Sequence, residues 1–269
     1  MDFQFIEYVT AERPQYPNTL RIDSSGSAHA EQRFSGAMNS LGDIGYFESK
    51  LSRADVGELS LLVQDERFHR APDDAGKLLP GASHRIVRVQ EQSAAIEKTI
   101  QWEKTPEPVL ARLFGALDRS LDRVRSSPIR VLRVQLTAVN VDRQGSLSAV
   151  LTLTNPGPKP VRVRSPLAMG AGSGSGLQIE AWPDRAGVRA EDVVRAPVMR
   201  VENQTQLAEP AVIDLPPGQF YAYRVYASPQ WRTREPHQVR LRYSGPTVAS
   251  VEAELVGEAY TPVTQVAVP

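Results

Sequence analysis

There is no cysteine among the 269 residues, so disulfides, thiolate nucleophiles and cysteine-held zinc or iron–sulfur centres are excluded. The absence fits a reducing compartment. Also missing is an apolar run of about 18 residues, the length a membrane-crossing helix needs, so no membrane insertion is expected. The opening residues, MDFQFIEYVTAERP, lack the basic-then-apolar order of a signal peptide. The expected location is the cytoplasm if this N-terminus is native, and the periplasm if a leader has been removed. Net charge is absent too: 31 Lys+Arg balance 31 Asp+Glu, which argues against nucleic acid as a partner. The two halves carry weak opposite biases, 16 basic against 19 acidic residues over 1–127 and 15 against 12 over 128–269.

What is present is the composition of an ordinary folded chain, 41% apolar and 23% charged. The length suffices for two domains, each with its own core. A change of texture near Pro128 divides them. Before it, strands alternate with two capped amphipathic helices. After it come period-2 strands and Pro/Gly-rich turns, with 15 of the 21 prolines. The expected domains are therefore residues 1–127, an α+β domain, and residues 128–269, an all-β domain.

In the first half, residues 2–11 read as a strand, closed by a turn at 14–18. TLRID and SAHAEQRF flank Ser24-Ser25-Gly26 as a hairpin. Ser52 reads as an N-cap, with Asp55 three residues on approximating a capping box; Val56, Leu59, Leu62 and Val63 give the apolar face. This helix is expected to stop before Phe68, with a polar loop over His69 to Asp74. Residues 84–92 and 95–103 form a second hairpin. Thr105 as N-cap and Pro106 at the first helical position open a helix whose stripe is Val109, Leu110, Leu113, Phe114, Leu117, Leu121 and Val124. The order is β-β-β-α-β-β-α. With LRIDSSGSAH and LSRADVGELSLLVQDERF as the matching segments, residues 5–125 resemble a small family of uncharacterised bacterial α+β domains, often exported. No activity attaches to that family, so the resemblance implies a fold and no site residues; the lipoprotein-type cysteine of many members is missing here.

In the second half, Leu132, Val134, Leu136 and Ala138 share one face, as do Leu147, Ala149, Leu151 and Leu153. Tyr221, Tyr223 and Val225 follow, then Val239, Leu241 and Tyr243, then Ala249, Val251, Ala253 and Leu255. One buried and one wet face is the pattern of antiparallel sheets packed as a sandwich. LTLTNPGPKPVRVRSP, IDLPPGQFYAYRVY and HQVRLRYSG resemble an immunoglobulin-like β-sandwich of the intracellular proteinase inhibitor type. That fold hosts adhesion, inhibition, chaperoning and scaffolding alike.

Chemistry-bearing patterns are sparse. His29, His69, His84 and His237 lack the close spacing of a metal site, and no cofactor is expected. The tract from Met169 to Gly176 is glycine-rich, but the strand-like LQIEAW follows it instead of a helix, which favours a loop over a phosphate cradle. Asp23 to Ser27 lacks the terminal acid of a calcium loop. Asp65, Glu66, Asp73 and Asp74 read as a solvated helix end and loop, and Ser173 lacks the context of a nucleophile elbow. Trp231, flanked by Arg232 and Arg234, and Trp182, before Pro183, have the composition of protein-contact anchors.

These readings point to a non-catalytic protein-binding protein, an inhibitor or immunity-type protein that sterically occludes another protein. The alternatives are an envelope-associated scaffold or carbohydrate-binding module, and a hydrolase with its site at the domain junction.

Overall fold

Strands dominate the computed structural model, which describes residues 3–35, 43–79, 81–91, 94–101, 104, 106–169, 176–203, 209–231, 233–246, 249, 251 and 254–269. The chain divides into two compact units, Met1–Phe34 with Gly45–Ile129, and Ser35–Ile44 with Arg130–Pro269. Among the described residues no helix is long and apolar enough to cross a membrane.

The first unit contains β1 (Phe5–Ala11), β2 (Asn18–Asp23), β3 (Ser27–Gln32), most of β4 (Asp43–Lys50), α1 (Arg53–Gln64), α2 (Glu66–Arg70), β5 (His84–Gln90), β6 (Ala95–Gln101) and α3 (Pro108–Arg125). Its antiparallel sheet runs β4-β3-β2-β1-β5-β6. Two elements thus lie outside the expected β-β-β-α-β-β-α order. β4 is hidden by its Gly-rich approach and by two adjacent buried positions, Ile44 and Gly45, which break the period-2 signal. α2 exists because Asp65, which ends α1, accepts the Arg67 N–H at 2.9 Å and caps a further turn. Phe68 in that turn is buried, and His69 is helical where a loop was expected.

α1 begins as its sequence dictates, with Ser52 Oγ accepting from Asp55 N and the Asp55 carboxylate accepting from Ser52 N, both at 3.2 Å. The start of α3 differs from expectation. Pro108 holds the first helical position and Glu107 is the N-cap; Thr105 lies outside the described residues. A residue preceding proline is driven out of the helical region, and Glu107 sits at φ −50°, ψ 146°, so a helix opened at Pro106 could not pass it. The apolar stripe of α3 is buried along its whole length. Its Phe114 stacks on Tyr8 with ring centres 5.9 Å apart, and the Tyr8 hydroxyl donates to Asp118 Oδ1 at 2.8 Å. Burial first, and Asp118 second, push that hydroxyl well above the usual phenol range.

At β6 the segment after α2 covers the outer strand edge. Asp74 N donates to Thr99 O at 2.8 Å, Asp73 Oδ1 accepts from Thr99 N at 3.0 Å, and Lys104 Nζ lies 2.7 Å from Asp74 Oδ1. Asp73 and Asp74 therefore blunt an edge that would otherwise invite strand pairing. The Lys104 ammonium holds Asp74 below the usual carboxylate range. An acid so shifted stabilises the fold above its unfolded pKa, and that contribution is lost as pH falls through its folded value. Below about pH 4, wild type should lose stability more steeply than Asp74→Asn in urea unfolding; equal slopes would dismiss the ion pair.

β7 (Pro128–Val141) leads into the second unit, with β8 (Leu147–Thr154), β9 (Val161–Arg164), β10 (Leu177–Pro183), β11 (Val194–Asn203), β12 (Val212–Leu215), β13 (Phe220–Ala227), β14 (His237–Ser244), β15 (Glu258–Tyr260) and β16 (Thr264–Val266). The order is β7-β8-β13-β11-β10-β14, with β15 and β16 both on β14 and β9 paired with β12. The inward residues of these strands share one apolar core, joined by Ile44 from the segment Ser35–Ile44. Ser35, which donates its N–H to Glu258 O and accepts from Tyr260 N, ties that segment to this unit, although its sequence lies before the expected boundary.

The alternation holds in β8 and β14 and fails in two places. In β7 the register shifts between Thr137 and Asn140, and Ala138, expected inside, is exposed at φ 49°, a left-handed conformation costly for a residue with a Cβ. The run from Ala249 to Leu255 does not form a strand among its described residues: Glu254 N bonds Val251 O in a turn, and Val251 is exposed. Of the glycine-rich tract, residues 170–175 lie outside the described residues; the strand β10 does follow it.

Candidate functional site

One end of the second unit is concave. The turn from β7 to β8 is set by Asp142, whose Oδ1 accepts the N–H groups of Gln144 and Ser146, both at 2.8 Å. Gly145 closes it at φ 81°, where a side chain is strained. Beside the turn, β11 carries a bulge: Val198 opposes Ala227, then Arg200 opposes Tyr226, so Met199 is the extra residue. A bulge re-aims the residue it inserts, and Met199 is 55% exposed. Arg200 then lies over the Tyr226 ring at 4.1 Å, with its Nε 3.2 Å from Glu202 Oε1; Tyr226 donates its hydroxyl to Glu202 Oε2 at 2.9 Å. Asn140, Asp142, Ser146, Met199, Arg200 and Tyr226 line a concavity of about 520 Å³. Both strand irregularities, in β7 and β11, border it.

Trp231 braces this end from behind. Its indole N–H donates to Gly145 O at 2.6 Å, and its ring meets the His237 ring edge-on at 5.1 Å. The indole is half-buried against the core and so holds the turn in place. Arg234 is exposed, and Arg232 lies outside the described residues. Trp182 lies elsewhere. It sits opposite Gln238 on the outer face of β14, whereas His237, which Trp231 touches, is buried on the inner side. The structure does not gather the two tryptophans into one patch.

On that outer face the Trp182 N–H donates to Gln238 Oε1 at 3.2 Å. The Arg240 guanidinium lies 5.3 Å from the Trp182 ring and 4.2 Å from that of Tyr260. Below it the buried Glu180 accepts from Arg240 at 2.5 and 2.9 Å and from Arg195 at 3.1 Å.

The remaining motifs are structural. Asp23 accepts from Ser25 and Ser27 in the β2–β3 turn, and the Ser25 hydroxyl holds it below the usual carboxylate range. The histidines stay apart, His29 facing Glu48 at 3.5 Å while His84 and His237 bond local carbonyls. Among the described residues no three His, Asp or Glu side chains converge on a metal position. Met199, Arg200 and Tyr226 went unseen in the sequence. The Tyr221–Tyr223–Val225 alternation implied an outward Tyr226, but nothing marked the bulge that brings Met199 beside it.

No family model matches the chain, and no curated protein matches it. Among solved structures, a chain described by the words "AvmM Catalyzes Macrocyclization in Alchivemycin A Biosynthesis" aligns with 50% of this chain and 86% of its own, at 14% identity and a TM-score of 0.30. A likeness at that level fixes neither fold nor activity.

Proposed function

We propose that the protein is non-catalytic and binds another protein through the Met199 concavity, at one end of an immunoglobulin-like sandwich preceded by an α+β domain. The observation that carries this reading is the bulge that turns Met199 outward beside a stacked Arg200–Tyr226 pair. Methionine, arginine and tyrosine are the types enriched where proteins meet, and a rigid strand-borne pair loses little side-chain freedom on association. The sandwich reading is supported by β11, which changes partner between Pro197 and Val198, next to its bulge, as strands do where a sandwich turns a corner. The action is steric, that of an inhibitor or immunity-type protein whose end covers a functional surface of its partner.

The test is co-purification from the native host, with wild type and Met199→Asp compared at equal folded stability. Wild type should retain a stoichiometric protein, and the substitution should weaken its binding about 30-fold, the effect of losing roughly 2 kcal/mol at a contact centre. Retention of the same protein by both forms, or by neither, would sink the proposal.

A further inference from the structure

We infer that the outer face of β10, β14 and β16 binds a neutral saccharide, at a site separate from the Met199 concavity. Trp182, Gln238 and Gln265 are register partners on three adjacent strands and so form one cross-strand row. Two interstrand spacings make that row about 10 Å long, the length of two linked pyranose rings. Flat side chains on a sheet present a planar platform, and pyranose rings lay a flat C–H face on an indole.

The polar groups match hydroxyl chemistry. Gln238 Nε2 donates to Asp184 Oδ1 at 2.7 Å, and Gln265 Nε2 donates to the other oxygen of the same carboxylate. In these bonds each amide nitrogen spends one of two hydrogens and each carboxylate oxygen one of its acceptor positions. These bonds leave one hydrogen on each amide nitrogen and further acceptor positions on the Asp184 carboxylate, and a sugar hydroxyl can use one of each. Asp184 and Gln265 are exposed, while Trp182 and Gln238 are half-buried and mutually bonded, so the row is held in place before any ligand arrives.

Charge sets the class of sugar. Glu180 is paired with both Arg240, which is stacked between Trp182 and Tyr260, and Arg195, and with the exposed Asp184 these side chains sum to two positive and two negative charges. A face so balanced has no preference for an acidic or basic glycan. A purely structural ladder would tie the strands together with the same bonds, so the experiment must read binding.

The full chain would be titrated with cellobiose, lactose, maltose, N,N′-diacetylchitobiose and a glucuronate-containing disaccharide, with tryptophan emission as the signal. At least one neutral disaccharide is expected to give a saturable shift near millimolar concentration, kept in Trp231→Phe and lost in Trp182→Phe. Asp184→Ala should weaken binding at least tenfold with an unchanged unfolding midpoint, whereas Met199→Asp should leave it intact. No saturable response to any sugar up to roughly 10 mM, binding confined to the glucuronate sugar, or binding indifferent to Asp184→Ala would each overturn the assignment. None of these results depends on whether the Met199 end binds a protein.

Discussion

Glu180→Ala is expected to destabilise the second unit by about 3–5 kcal/mol, the cost of leaving a buried charge without its partner. The Glu180 side chain is 3% exposed, and its two arginines differ: the Arg240 side chain is 14% exposed and that of Arg195 is 51%. Arg195 can turn to water when the carboxylate goes, so its arm contributes no more than the 1 kcal/mol or less of a surface pair. Arg240 has no such exit. Clasped by the rings of Trp182 and Tyr260, it would keep its charge with only aromatic faces to meet it. Glu180→Gln should cost less, because an amide oxygen still accepts. The Glu180→Ala/Arg240→Met double variant should recover much of the loss, since replacing both charges with apolar groups is often close to neutral. Denaturant unfolding of the four proteins makes the comparison. A loss below 1 kcal/mol in Glu180→Ala would show that Arg240 finds water after all.

Trp231→Ala should be nearly as severe, at about 3 kcal/mol. The indole loses its packing on the core, its edge contact with His237 and its hydrogen bond to Gly145 O. Trp231→Phe keeps most of the packing and drops the hydrogen bond, for about 1 kcal/mol. The alanine variant should also weaken association at the Met199 concavity, although the indole is not among the residues lining it, because the Asp142–Ser146 turn loses its brace. Hydrogen exchange at the Ser146 amide, which bonds Asp142, reports that loosening directly. If Trp231→Ala abolished partner binding while leaving unfolding and exchange unchanged, the indole would be a contact anchor, as the sequence alone suggested.

Legibility in the sequence followed the range of the physics. The Ser52–Asp55 box, the α3 stripe and the alternation of β8 and β14 depend on neighbours within a few residues, and each was readable. The start of α3 was misread because two prolines, Pro106 and Pro108, both suit a first helical position, and only the backbone bias they impose on the residue before them decides. Bulges were invisible: Ala138 looks like one more inward residue until β8 sets the register against it. The sites needed longer reach. Trp182 and Trp231 stood out by composition, but their roles depend on Gln238 and Gly145, 56 and 86 positions away in the chain.

The divided strand β11 has a consequence for how the second unit comes apart. Its first residues pair only with β10 and its later ones only with β13. Neither group of strands can peel off without stripping a shared member from the other, so damage at either end is felt across the whole unit. A partner seated on the bulge at Met199 would press on the seam where the two groups are stitched, and by gripping it would make the entire unit harder to unravel.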